Sequence, residues 1–157
     1  MDDLMADAEK NAHALAELER RLSFEFDGMR LHEYYFSQWE KGPAPIQESG
    51  ALSSALVRQF GSFESFIKLF TNVGLMRGVG WAILYFDEKA GLFHVGFSEQ
   101  QHQGHFVTLP IVLALDMWEH AFVAQFGVGG KKAYIEAFMK NLNWDVMESR
   151  FAEMTRA

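Results

Sequence analysis

The stretch Leu109-Pro110-Ile111-Val112-Leu113-Ala114-Leu115-Asp116-Met117-Trp118-Glu119-His120-Ala121 is the most informative part of this chain. Its first seven residues form an apolar run rich in branched side chains, which predicts a buried strand over 109–115. Asp116 then lies where the strand ends, and His120 lies on the turn or helix that follows. A carboxylate and an imidazole at the end of a buried strand are more typical of a first-row transition-metal site than of core packing.

Two shorter runs upstream predict a β-hairpin. They cover 81–86 and 92–97 and are separated by the loop Asp87-Glu88-Lys89-Ala90-Gly91. With 109–115 they predict a three-stranded antiparallel sheet. Helices are expected on either side of it, over 50–58, 62–75, 131–140 and 144–155, with Ser62 and Asn143 as N-caps. Helices, a small sheet and further helices in this order predict an α+β fold.

The N-terminal part of the chain is predicted to be helical. Residues 2–22 read as one helix with leucines on one face, and 29–39 as a second helical segment after a break around Phe26-Asp27-Gly28. Gly42-Pro43-Ala44-Pro45 is the clearest linker, because neither proline can continue a helix. We therefore expect an N-terminal helical segment over 1–42 and a C-terminal α+β domain over 43–157.

Composition narrows the class of protein. A chain of 157 residues with 49% hydrophobic residues can fill a core, and its formal charge of −7 argues against nucleic acid or an anionic membrane surface as partner. The absence of cysteine excludes thiolate metal sites and fits a reducing compartment. The sequence has neither a signal-peptide pattern nor a run of about 18 apolar residues, so a soluble cytoplasmic protein is expected.

The motif Asp116-x-Trp118-Glu119-His120-Ala121 resembles the C-terminal metal motif of the iron/manganese superoxide dismutase family. Three further stretches are similar to segments of that family. They are Gly78-Val79-Gly80-Trp81-Ala82-Ile83-Leu84, Asn141-Leu142-Asn143-Trp144-Asp145 and Phe60-Gly61-Ser62-Phe63. The resemblance covers roughly residues 22–152 and makes the 1–42 segment part of a helical hairpin.

The resemblance implies a set of metal ligands. Asp116 and His120 would supply two of the family's four protein ligands. His32, within Leu31-His32-Glu33-Tyr34-Tyr35-Phe36, resembles the ligand histidine of the family's second helix. From the residues alone, His32 would be interpreted as a core or interface histidine among aromatics. Two imidazoles and one carboxylate suit one iron or manganese ion per subunit and disfavour structural zinc.

The resemblance also assigns residues around the ion. Gln101, or next to it His102, would hydrogen-bond the metal-bound water, although His102 and His105 also fit a solvated loop. The family's alternative glutamine position, four residues before His32, is occupied here by Gly28, which favours a partner on the loop.

Aromatic side chains and one acid complete the implied site. Trp81 and Trp118 would wall it and exclude water, and Tyr35 would present its hydroxyl nearby. Ordinary core packing explains both tryptophans equally well. Glu119 is not expected to be a ligand. In the family it reaches the equivalent of His120 in the other subunit, which implies a homodimer.

One departure from the family concerns its first helix, which carries another ligand histidine followed by Tyr-Val. Only His13 precedes His32 here, and its context, Asn11-Ala12-His13-Ala14-Leu15, lacks that pattern. We therefore interpret His13 as a solvated helix residue, and the first-helix region and fourth ligand as missing from this sequence.

The function implied by the resemblance is the disproportionation of superoxide to oxygen and hydrogen peroxide. The missing ligand leaves two alternatives open. The chain could be a non-catalytic dimeric or scaffold relative, or a different mononuclear metal enzyme that uses two histidines and one carboxylate.

Overall fold

Three strands form one antiparallel sheet in the computed structural model, which describes residues 2–156. They are β1 (Gly80–Asp87), β2 (Leu92–Glu99) and β3 (Ile111–Asp116), in the order β2-β1-β3. The central strand β1 is buried from Gly80 to Phe86, as expected for a strand paired on both edges. Its residue Trp81 pairs with Ser98 on β2 and with Asp116 on β3. The register thus sets the end of β3 beside a central tryptophan.

Helices flank this sheet in the described chain. They are α1 (Asp2–Met5), α2 (Ala12–Ser37), α3 (Ala51–Phe60), α4 (Phe63–Gly74), α5 (Glu119–Phe126), α6 (Lys131–Asn141) and α7 (Trp144–Met154). The predicted α+β fold is confirmed, with α4 packed on β1 and β2, and α2 and α7 packed on β3. Among residues 2–156, no helix is long and apolar enough to cross a bilayer.

Both predicted N-caps are confirmed. The side-chain oxygen of Ser62 accepts a hydrogen bond of 3.0 Å from the backbone N–H of Ser65, at the start of α4. That of Asn143 accepts one of 3.1 Å from the N–H of Asp145, at the start of α7. The linker before α3 is also held to the start of α7, because Ala44 forms a parallel bridge with Asn143. The division of the chain at residue 42 stays a prediction.

Two predictions about the N-terminal helices are wrong. Residues 2–22 are not one helix, because α1 ends at Met5 and α2 begins at Ala12 after a turn in which the Asn11 side chain donates to the Leu4 carbonyl. Asparagine favours such local bonds over helix interiors. The break at Phe26-Asp27-Gly28 is also absent, and α2 runs through it. A glycine costs a helix about 1 kcal/mol relative to alanine, which tertiary packing can override.

Helix α2 has apolar residues on two different faces. Leu31 and Tyr35 are buried in the core. Leu18, Leu22, Phe26, Met29 and Phe36 lie on the other face and are exposed, with Leu22 60% exposed. The predicted leucine face at Leu15, Leu18 and Leu22 belongs to this outer side. Apolar periodicity therefore indicated helical structure in this region but identified neither the helix bounds nor the face that meets the core.

Gln38, directly after α2, fastens this helix to the edge strand β3. Its side chain is fully buried. Its Nε2 donates to the Ala114 carbonyl at 2.8 Å, and the Ala114 N–H donates to its Oε1 at 2.7 Å. Its own carbonyl accepts from the Asn143 N–H at 2.9 Å. One residue thus satisfies backbone groups of β3 and joins them to the start of α7.

Replacing Gln38 with leucine should destabilise the protein without changing its fold class. The leucine fills a similar volume but leaves the N–H and C=O of Ala114 unpaired in the core, which costs about 1–3 kcal/mol. Urea unfolding should report this loss, and Gln125→Leu, at an exposed position of α5, should change stability by less than about 0.5 kcal/mol. Equal unfolding midpoints for the two variants would contradict the role given to Gln38.

Candidate metal centre

Three side chains from three elements meet at the open end of β3. His32 comes from α2, Asp116 is the last residue of β3, and His120 lies in the first turn of α5. One ligand atom from each lies within 4.8 Å of the other two. In the described part of the chain, this is the cluster of three or more histidine and carboxylate groups that has the geometry to hold a metal ion.

The hydrogen bonds of His32 fix which of its nitrogens is free. Its Nδ1 lies 2.6 Å from the Gly28 carbonyl oxygen, which can only accept, so the proton is on Nδ1. The lone pair of Nε2 therefore faces the cluster, 3.4 Å from Nε2 of His120 and 3.5 Å from Oδ2 of Asp116. A backbone carbonyl on the far nitrogen is the usual way to orient a metal-binding imidazole.

Asp116 supplies a buried negative charge to this cluster. Its side chain is 2% exposed, and its Oδ1 accepts from the Trp118 N–H at 2.8 Å while Oδ2 faces the His120 Nε2 at 3.0 Å. Burial raises the pKa of Asp116, and the Trp118 N–H and the two histidines oppose that effect. A buried carboxylate is costly without a compensating cation. The donor set therefore fits a divalent or trivalent metal ion.

The cluster is open to solvent on the side of the histidines. The side chain of His120 is 56% exposed and that of His32 is 31% exposed, whereas Asp116 is enclosed. An ion on these three groups would have free positions for water or a small anion. Two imidazoles and one carboxylate with open positions are a set that iron and manganese use.

The sequence and this geometry agree with comparisons to known proteins. Residues 48–150 match the family described as iron/manganese superoxide dismutases, C-terminal domain. The chain belongs to the iron/manganese superoxide dismutase family. The match contains β1, β2 and β3 and two of the three clustered residues, Asp116 and His120, while His32 lies before it.

Named superoxide dismutases are similar over most of this chain. "Superoxide dismutase [Fe]" of Saccharolobus solfataricus is 35% identical over 137 residues, which are 83% of this chain and 63% of that protein. "Superoxide dismutase [Mn]" of Mycolicibacterium smegmatis is 36% identical over 142 residues, 87% of this chain and 66% of its own length. "Superoxide dismutase [Mn/Fe]" of Propionibacterium freudenreichii subsp. shermanii is 32% identical over 156 residues, 96% and 77%. The chain thus spans less than two thirds of the first of these relatives.

Gln101 lies beside the ligands in this superoxide dismutase family member. Its Oε1 accepts from the indole Nε1 of Trp81 at 2.7 Å, and the Trp81 ring meets the ring of His32 edge-on at 5.0 Å. A Cβ on Gly28 would come within 3.2 Å of the Gln101 side chain. Gly28 thus makes room for Gln101 and, through its carbonyl, orients His32. The position of Gly28 four residues before His32 is the sequence signal for this bond between its carbonyl and the imidazole.

Trp118 and His102, the other predicted neighbours of the cluster, make different contacts. The ring of Trp118 stacks on that of His120, with 6.1 Å between the ring centroids. His102 packs its ring against Phe24 at 5.6 Å, and Phe24 also contacts Trp118. The indole Nε1 of Trp118 and Nδ1 of His102 are buried without a hydrogen-bond partner within residues 2–156.

Tyr35 contributes through packing and not through a hydroxyl directed at the ligands. Its hydroxyl lies 2.8 Å from that of Tyr134 on α6, and both are buried. Burial raises the pKa of Tyr35 to about 12, with the charge of Asp116 acting in the same direction. Its partner Tyr134 is 99 residues away, so no local pattern could have indicated this pair.

His13 and Glu119 lie on the surface. His13 is exposed near the start of α2, about 28 Å along the helix axis from His32, because a helix rises about 1.5 Å per residue. It therefore stays outside the cluster. Glu119 is exposed in the first turn of α5, beside His120.

Replacing Asp116 with asparagine should stabilise the metal-free protein. Burial is the largest influence on this carboxyl group and raises its pKa, so its negative charge costs folding free energy at neutral and higher pH. Asparagine removes the charge and keeps an oxygen for the Trp118 N–H. At pH 8 the urea midpoint should rise for Asp116→Asn and stay unchanged for the exposed Asp3→Asn. A lower midpoint for Asp116→Asn would contradict the cost assigned to this charge.

Proposed function

We propose that this chain is a superoxide dismutase that holds one iron or manganese ion on His32, Asp116 and His120. The observation that carries the proposal is the convergence of their ligand atoms within 4.8 Å, in a chain of this family. The names of the relatives specify iron, manganese or either, which supports these two metals. Such an ion would supply the one-electron chemistry by which two superoxide ions and two protons become oxygen and hydrogen peroxide.

The residues of the chain give this chemistry a suitable environment. Asp116 supplies one negative charge, which favours the higher oxidation state, and His32 is held by the Gly28 carbonyl in the tautomer that binds metal. The rings of Trp81 and Trp118 contact those of His32 and His120, and would limit the access of water on those two sides. Gln101 has its oxygen engaged by Trp81, so its amide N–H₂ is the group available to donate to a bound water.

Three protein ligands should hold the ion less firmly than four. Within residues 2–156 the cluster has no fourth histidine or carboxylate. For these three groups alone we expect an affinity lower by about 10–100-fold, in line with losses from a ligand shell, and a shifted reduction potential.

We also propose a homodimer in which Glu119 reaches His120 of the other subunit. The exposure of both side chains and their adjacent positions on α5 support this arrangement. A carboxylate on the free nitrogen of His120 would orient the imidazole for the metal. The cytoplasmic location expected from the sequence stays a prediction.

Metal content and superoxide turnover test the proposed activity together. Wild-type protein grown with either metal should hold close to one equivalent of iron or manganese and consume superoxide. Asp116→Ala and His32→Ala should lower metal affinity by at least about 10–100-fold and abolish turnover. His94→Ala is the matched control, because His94 lies on β2 away from the cluster, and it should keep both properties.

The outcome separates the alternatives. Wild-type protein that retains less than about a tenth of an equivalent of either metal would favour a non-catalytic relative. Full metal occupancy with background superoxide consumption would favour a different mononuclear metal enzyme. Either result would overturn the proposed function.

The dimer is tested by changing Glu119 alone. Glu119→Ala should shift the sedimentation coefficient from that of a dimer to that of a monomer, because it removes a charged contact made once from each subunit. Glu136→Ala, at an exposed position of α6, should leave the coefficient unchanged. A wild-type protein that sediments as a monomer at micromolar concentration would contradict the dimer without touching the metal proposal.

A further inference from the structure

His105 is the half-buried centre of a hydrogen-bond network that lies outside the proposed ligand set. It lies on the loop between β2 and β3, and its ring nitrogens meet three groups. Nδ1 lies 2.7 Å from the Tyr85 hydroxyl, and Nε2 lies 2.9 Å from the Gln101 carbonyl and 3.2 Å from the Ser98 hydroxyl. Two of these partners, Tyr85 and Ser98, belong to paired strands of the sheet.

The chemistry of these partners fixes the tautomer of His105. The Gln101 carbonyl can only accept, so Nε2 carries the proton and Nδ1 accepts from the Tyr85 hydroxyl. The Ser98 hydroxyl is free to donate to the Gln103 carbonyl, 3.0 Å away, further along the same loop. The imidazole thus ties the backbone of the loop at Gln101 to β1 and β2.

The loop backbone has little freedom to adjust if the hydrogen bond from His105 to the Gln101 carbonyl is lost. Gln100, just before Gln101, has a positive φ of 54°, which a residue other than glycine seldom adopts. The Gln101 side chain lies so close to Gly28 of α2 that a Cβ there would come within 3.2 Å of it, and its Oε1 accepts from the indole Nε1 of Trp81 at 2.7 Å. A shift of the Gln101 backbone by a few tenths of an ångström would therefore lengthen the bond to Trp81.

We propose that His105 is a positioning residue that holds the Gln101 amide in place beside the ligand cluster. Its bond to the Gln101 carbonyl fixes the backbone from which that side chain extends, and the strands fix His105 in turn. The inference rests on the proposed function only for the role of the Gln101 amide as a donor to a metal-bound water. The hydrogen bonds that position Gln101 lie within the protein and do not depend on that function.

Two substitutions separate positioning from mere packing. His105→Leu fills the space but removes the donor to Gln101, whereas His105→Gln places an amide Nε2–H near the position of the imidazole Nε2 and can restore that bond. The readout is the indole N–H of Trp81 in ¹⁵N-labelled, metal-free protein, assigned through Trp81→Phe. In His105→Leu the bond to the Gln101 carbonyl is lost, and hydrogen exchange of the Trp81 indole N–H should become about 5- to 10-fold faster. In His105→Gln the exchange rate should stay within about 2-fold of wild type.

A second readout uses the metal-loaded protein. The reduction potential of the bound ion should differ from wild type in His105→Leu and return towards it in His105→Gln, while metal content stays equal in all three. Tyr85→Phe removes the donor to Nδ1 and should change the Trp81 exchange in the same direction as His105→Leu. His13→Leu, at an exposed position near the start of α2, is the matched control for both measurements.

The results decide the inference separately from the enzyme activity. Unchanged Trp81 exchange in a folded His105→Leu protein would overturn the positioning role, as would a His105→Gln protein as impaired as His105→Leu. If His105→Leu does not fold, Tyr85→Phe decides, and unchanged Trp81 exchange there would overturn the role. A Trp81 response as expected, in a protein without superoxide turnover, would overturn the proposed function and support the positioning.

Discussion

The hydrogen bonds between Gln38 and Ala114 are the constraint on which the site depends. They fasten α2 to β3, and these elements carry His32 and Asp116. The edge strand would otherwise leave buried backbone groups without partners on this side, which costs free energy for each group. The half-buried Arg150 adds to the same fastening, because its guanidinium donates to the carbonyls of Val112 and Tyr34. These polar contacts between α2, β3 and α7 thus set the distance between His32 and Asp116.

His120, the third residue of the cluster, is placed by the end of the strand itself. Asp116 accepts the N–H of Trp118 with one oxygen, which turns the chain into α5 and leaves the other oxygen beside His120. Local chain geometry therefore joins Asp116 and His120, whereas His32 reaches them only through the docking of α2. This difference explains why a short motif can contain two ligands but not the third.

Around His32, Asp116 and His120, single residues both pack against the cluster and form hydrogen bonds that orient its neighbours. Gly28 gives space to Gln101 and a carbonyl to His32, and Trp81 contacts His32 while it bonds Gln101. The buried charge of Asp116 works against the stability of the metal-free fold and in favour of cation binding. The outer face of α2, with Leu22 and Met29 exposed, shows that the helix has more apolar surface than this core covers.

The sequence by itself determined the α+β class, the sheet, both N-caps and the pairing of Asp116 with His120, because these follow from local periodicity, capping chemistry and spacing. It failed at Phe26-Asp27-Gly28, where a local helix breaker was overridden by packing against Gln101. It also left His105 undecided and could not pair Tyr35 with Tyr134. Only the tertiary structure decided these features, since each depends on contacts between residues far apart in the chain, which no local pattern encodes.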